Sequence, residues 1–111
     1  MTGETDFVSD GTTVVRIHNG HKFLEEVTGT GCSLGTTISA AVAAYPESRL
    51  SAVVTAMLHF EIAAEMAANR DDVQGPGTFV PAFLDELYRI REASAIGDQS
   101  WLERAKVSEV F

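Results

Sequence analysis

The chain has 111 residues, 45% of them hydrophobic and 22% charged, and a formal net charge of −8. That length fits one small domain or part of a larger one. The acidic balance argues against nucleic acid and anionic membranes as partners, because Arg89 and Arg91 close a helix, Arg104 and Lys106 lie in the tail, and neither pair makes a basic patch. Met57 to Ala68 comes nearest to a membrane span but is interrupted by His59, Glu61 and Glu65. Met1-Thr2-Gly3-Glu4 is acidic and unlike a signal peptide, and a single cysteine cannot form an internal disulfide. The expectation is a cytoplasmic protein in a reducing compartment.

Asp10-Gly11 and Asn19-Gly20 are strong hairpin dipeptides, since both residues of a type I′ turn take positive φ. They bracket the β-branched run Thr12-Thr13-Val14-Val15-Arg16-Ile17. With Phe7-Val8 before it and Lys22-Phe23-Leu24 after it, three strands are predicted over residues 6–25. From Ser33 the period changes: Leu34, Ile38, Val42 and Tyr45 recur at helical spacing until Pro46. Ser48 is the expected cap of a second helix, reaching about Asn69, with Leu50, Val53, Val54, Met57, Leu58, Ile62 and Met66 as its apolar set. A loop over residues 69–77 precedes a third helix, capped by Thr78, with Pro81 in its first turn and Phe79, Phe83, Leu84, Leu87 and Ile90 along it. Gly97-Asp98 ends that helix, and Trp101 to Val107 is a short amphipathic tail. Three short strands and three helices apolar on more than one side do not close a core by themselves. Such a chain either oligomerises or is the C-terminal part of a larger domain.

The run Val27-Thr28-Gly29-Thr30-Gly31-Cys32-Ser33-Leu34-Gly35 carries the strongest chemical signal. Its glycines allow a sharp backbone turn before the first long helix. The first amides of that helix have no partner within it and lie at the positive end of its dipole. Amides of Gly31, Cys32 and Ser33 in that position would cradle a phosphate, with one thiol beside it. From the residues alone, a glycine-rich entry to a buried helix with an inert cysteine is an equal reading. The loop is no Walker A motif, because no Lys-Ser or Lys-Thr follows the glycines. A cysteine hydrolase or redox protein lacks a resolving cysteine and a sequence-evident His–Asp partner. His18 and His21 have no suitable third ligand nearby, so no metal site is expected. His59 reads as a core or interface histidine. Glu61 and Glu65, one turn apart, read as a solvated or subunit-facing stripe. Asp71 and Asp72 read as loop charges, and Gly75-Pro76-Gly77 as a structural turn.

Thr2-Gly3-Glu4-Thr5-Asp6, Val27-Thr28-Gly29-Thr30-Gly31-Cys32, and Gly75-Pro76-Gly77-Thr78-Phe79-Val80-Pro81-Ala82-Phe83-Leu84-Asp85 with Leu87-Tyr88 are separated motifs. Together they resemble the hydroxyethylthiazole kinase family. Asp10-Gly11-Thr12-Thr13-Val14-Val15-Arg16, Gly35-Thr36-Thr37-Ile38-Ser39-Ala40 and Trp101-Leu102-Glu103-Arg104-Ala105 are most similar to the kinase half of fungal bifunctional thiamine-synthesis proteins. The resemblance implies an α/β, ribokinase-like fold of which this chain is the C-terminal fragment. That fragment is a strand meander (1–26), an anion-hole loop (27–35), helices (36–91) and a tail (92–111). It implies ATP-dependent phosphorylation, with Mg²⁺, of the hydroxyl of 4-methyl-5-(2-hydroxyethyl)thiazole in thiamine biosynthesis, by a homotrimer with active sites between subunits. Matched by motif, Thr2 contacts ATP, Gly29 contacts the thiazole, Gly29, Thr30, Gly31 and Cys32 form the anion hole, and Cys32 is the catalytic residue. The family's long portion ahead of Thr2, with its metal-site acids and an ATP-binding arginine, has no counterpart in this sequence. The alternative is therefore a catalytically inactive remnant, or one product of a split gene, that acts through oligomer contacts only.

Overall fold

The structure is a computed structural model that describes residues 6–9, 11–26, 30–44 and 47–109. Strand β1 (Asp6–Ser9) runs antiparallel to β2 (Val14–Ile17), with Asp6 opposite Ile17 and Ser9 opposite Val14. Between them Gly11 takes φ 93°, which glycine reaches without strain, and its N–H donates to Ser9 Oγ at 3.0 Å.

The meander is present, but its third strand is not the expected one. β3 (Val107–Glu109) comes from the tail and pairs antiparallel with β2, placing Val107 opposite Ile17. Residues 22–24 instead enter a helical turn, α1 (Phe23–Glu26). His21 Nδ1 accepts the Phe23 N–H at 3.1 Å, and the His21 carbonyl accepts the Leu24 N–H at 3.0 Å. Phe23 and Leu24 both pack on the core. Neighbours on a strand would point to opposite faces, so burying both demands a turn.

The long helices are α2 (Thr30–Ala44), α3 (Arg49–Ala68) and α4 (Pro76–Ala95), followed by a 3₁₀ turn over Ser100–Arg104. Helix α2 begins at Thr30, ahead of the expected Ser33, and α4 runs past residue 91, so the tail starts later than expected. Ser48 stands at the N-cap of α3, although its side chain makes no capping bond. The cap of α4 is Gly75 rather than Thr78. Thr78 acts from inside the first turn, its hydroxyl accepting the N–H groups of Gln74 at 2.7 Å and Gly75 at 3.3 Å. Pro76 opens the helix, where a missing N–H costs nothing. Pro81 therefore sits in the second turn, and both it and Gly77, whose carbonyl it leaves without a donor, are exposed to water.

Helix α3 is central, packed between α2 and α4 with β1 across it. Among the described helices it alone is long and apolar enough to cross a membrane, and it contains the Met57–Ala68 stretch that came nearest to a span in the sequence. Its apolarity answers to its position: Ala56, Phe60, Ala63, Ala64 and Ala67 are buried on several sides, and the alanines let neighbours approach closely. The aromatic centre is Phe60 edge-on to Phe83 at 4.9 Å and Phe83 stacked on Phe79 at 5.4 Å. Phe7, Leu84, Tyr88 and Ile96 remain exposed.

Candidate functional site

Thr2 and Gly29, the expected ATP and thiazole contacts, lie outside the described residues. Thr30, Gly31 and Cys32 form the first turn of α2. The expected anion hole is thus largely the helix end itself, not a loop ahead of it. By helix geometry the N–H groups of residues 30–33 have no acceptor one turn back within α2, and the dipole adds a partial positive charge there. Leu34, 7% exposed, pins this end to the core. On the other side of residues 27–29, α1 is held by Leu24 in the core and by Phe23 edge-on to Phe79 at 5.4 Å. Both ends of the glycine connection are therefore anchored.

A cleft of about 420 Å³ opens between α2, α3, α4 and the 3₁₀ turn. Its wall includes Thr37, Ser51, Thr55, His59, Arg91 and Trp101. Thr37 lies five residues beyond Cys32, roughly 7.5 Å along the axis at the 1.5 Å rise of a helix. His59 Nε2 lies 3.1 Å from the Leu87 carbonyl. With a carbonyl as partner, Nε2 is the donor in this contact. The Trp101 indole donates to Ser94 Oγ at 3.0 Å, and its ring centre is 5.9 Å from that of His59. Sequence reasoning missed this cleft because its walls come from four separate segments. The tryptophan in the tail was the available signal.

The carboxylate stripe of α3 is not solvated. Glu61 is 1% exposed. Burial first, then a hydrogen bond and charge from Asp6, push its carboxyl up to about 9. Glu65 is half-buried and binds residues 19 and 20, accepting from Asn19 Nδ2 at 2.9 Å and the Gly20 N–H at 2.7 Å; the expected type I′ turn is not formed there, since Gly20 takes positive φ but Asn19 does not. Arg89, expected as a plain helix-end charge, pairs with buried Glu86 at 2.5 Å, and Arg70 reaches the same oxygen at 3.5 Å. His18 and His21 lie on either side of Asn19-Gly20, and no group of three metal-capable side chains occurs among the described residues.

Comparison with known proteins bears on this geometry. The profile of the hydroxyethylthiazole kinase family matches residues 1–93. The chain is 36% identical to a probable thiamine biosynthetic bifunctional enzyme of Schizosaccharomyces pombe, over 98% of this chain and 22% of that protein. It is 38% identical to the hydroxyethylthiazole kinase of Staphylococcus carnosus, over 96% of this chain and 40% of the relative. A solved structure of hydroxyethylthiazole kinase from Pyrococcus horikoshii superposes with a TM-score of 0.82 and 38% identity, covering all of this chain and 40% of its own. The chain thus spans well under half the length of these relatives.

Proposed function

Because this chain belongs to the hydroxyethylthiazole kinase family and carries the C-terminal part of its ribokinase-like α/β fold, we propose that it supplies the phosphate-binding end of a phosphotransferase site. The reaction would move the γ-phosphoryl group of ATP to the hydroxyl of 4-methyl-5-(2-hydroxyethyl)thiazole. The new bond joins the alcohol oxygen to phosphorus, the bond from phosphorus to the β–γ bridging oxygen breaks, and the hydroxyl proton leaves. The observation that carries this reading is the start of α2 at Thr30 directly after Gly29, with Cys32 in its first turn. Phosphoryl transfer needs alignment and neutralisation of charge more than covalent help. The amides of Gly31, Cys32 and Ser33 would face the transferring group. Cys32 would orient the hydroxyl or accept its proton, and a helix N-terminus favours the thiolate form this requires. Gly29 would leave room for the thiazole, and Thr2 would contact ATP.

The described residues do not assemble a set of three carboxylate, histidine or cysteine ligands for the Mg²⁺ that the family implies, so no step here runs through the metal. The cleft beside Thr37 would take the base of the nucleotide. Trp101 is the sole tryptophan and lines that cleft. Its fluorescence should therefore change on titration with ATP and stay constant with inorganic phosphate.

The deciding experiment supplies ATP, Mg²⁺ and the thiazole alcohol to this chain alone and to the chain mixed with the N-terminal part of the Staphylococcus carnosus relative. Phosphorylated thiazole is expected from the mixture, and its absence from both sinks the proposal. In the active mixture, Cys32→Ala should lower kcat about 10²-fold with little change in KM, the size of a lost proton-transfer partner. A second reading, an inactive remnant acting through contacts between chains, draws on the exposed Phe7, Leu84 and Tyr88. Measurable ATP affinity by calorimetry on the chain alone would overturn it.

A further inference from the structure

Asp6 and Glu61 take no part in the reaction above, and both are buried. Asp6 is the first residue of β1 and is 6% exposed, while Glu61 stands on α3, against which β1 packs. Their carboxyls are hydrogen-bonded to each other. Glu61 Oε2 is buried and has no hydrogen-bond partner among the described residues. The site is closed from the loop side by Gly20, where an added Cβ would meet Glu61 Cγ at 3.8 Å. Glu65, one turn further along α3, is committed to Asn19 and Gly20.

An ionised carboxylate only accepts hydrogen bonds, so two of them cannot bond to each other. One of this pair must hold a proton. We propose that Asp6 and Glu61 share a single proton and form a latch that holds β1 on α3, and that loss of this proton on the alkaline side weakens the docking of the strand. The ionisable groups that act on Glu61 reinforce the latch. Burial has the largest effect, then Asp6 through its hydrogen bond and charge, and Glu65 adds less. Together they raise Glu61 from its ordinary 4.5 to about 9, which places the shared proton on Glu61 at neutral pH.

The direction of the pH effect follows. Unfolding exposes Glu61, which then ionises near 4.5, whereas the folded chain keeps the proton up to about 9. The folded state therefore binds more protons across that interval. The latch contributes fully below the lower value, and its contribution fades as pH rises through the higher one. The same order of events makes a variant that bonds without a proton informative. In Glu61→Gln the side-chain amide donates to Asp6 without carrying a dissociable proton of its own.

Urea unfolding of the wild-type chain and of Glu61→Gln at pH 6 and pH 9.5 tests the latch. The wild-type midpoint should fall between the two conditions. The variant should lose at most a small part of that change and exceed the wild type at pH 9.5. An equal fall in both proteins overturns the proposal. Should the variant fail to fold, carboxyl-¹³C glutamate labelling of the wild type decides the matter. One glutamate resonance titrating well above pH 7 supports the shared proton, and all glutamates titrating below pH 6 removes it. Neither readout depends on nucleotide or thiazole, so this inference and the kinase reading can fail separately.

Discussion

Asn19→Ala is expected to destabilise the chain by about 3 kcal/mol or more, a large share of the stability of a small domain. The side chain is 4% exposed and joins three segments. Its Nδ2 donates to Glu65 Oε2 at 2.9 Å and to the Arg104 carbonyl at 2.8 Å, and its Oδ1 accepts the Lys106 N–H at 2.7 Å. Alanine removes all three bonds and leaves the Arg104 and Lys106 backbone groups without these partners. A neutral bond is worth about 1 kcal/mol and one to a charged group about 2 kcal/mol, with more lost where the abandoned group stays buried. The net stability of a domain is only about 5–15 kcal/mol. Urea denaturation measures the change directly. A loss below about 1 kcal/mol would show that the tail and α3 are held together by other means. Asn19→Asp should not rescue, because it keeps the acceptor while placing a second carboxylate against Glu65.

Phe79→Ala is the second large effect, about 4 kcal/mol, within the range for deleting a buried phenyl ring. Phe79 is fully buried, stacked on Phe83 at 5.4 Å with the rings 8° apart, and it receives the edge of Phe23 at 5.4 Å. The ring joins the first turns of α4 to α1, the turn that leads into residues 27–29. Its loss opens a cavity lined by two other phenyl groups, which cannot close without tilting both. Calorimetry should show the melting temperature lowered by roughly 15 °C or more, given about 4 °C per kcal/mol for a chain of this size. Phe79→Leu should recover a large part of it. Equal losses for Ala and Leu would mean that the stacked geometry, and not the filled volume, is what matters.

The helices and the turn glycines were legible because their signals are local. Leu34, Ile38 and Val42 set the helical period, Gly97 stops α4 with φ 89°, and Gly11 turns the first hairpin with φ 93°. Phe23-Leu24 was read as strand because two apolar residues beside a β-type turn carry no period of their own. What makes that segment helical is His21 bonding Phe23 and a core that accepts the side chains of Phe23 and Leu24 at once. β3 was illegible for a different reason: its partner lies far earlier in the sequence, and Val107-Ser108-Glu109 has no pattern that names β2. Glu61 was misread because carboxylates one turn apart usually mark a wet helix face. Helix α3 has no such face at that point, and the alanines around Glu61 were the overlooked sign. At the candidate site, Gly29, Gly31 and Cys32 were visible in sequence, whereas the cleft of His59 and Trp101 exists only after three helices and the tail are assembled.

That β3 completes the sheet has a consequence for biosynthesis. A β1–β2 hairpin closed by residues 107–109 cannot be finished while those residues are still inside the ribosome. Nascent β1 and β2 must wait with one edge unpaired, a condition that invites pairing with a neighbouring chain. The long sequence separation between β2 and its last partner also slows closure, because that loop must be formed before its contacts reward it. Crowded expression should therefore favour aggregates seeded at Val14–Ile17, and slower synthesis at lower temperature should raise the folded yield.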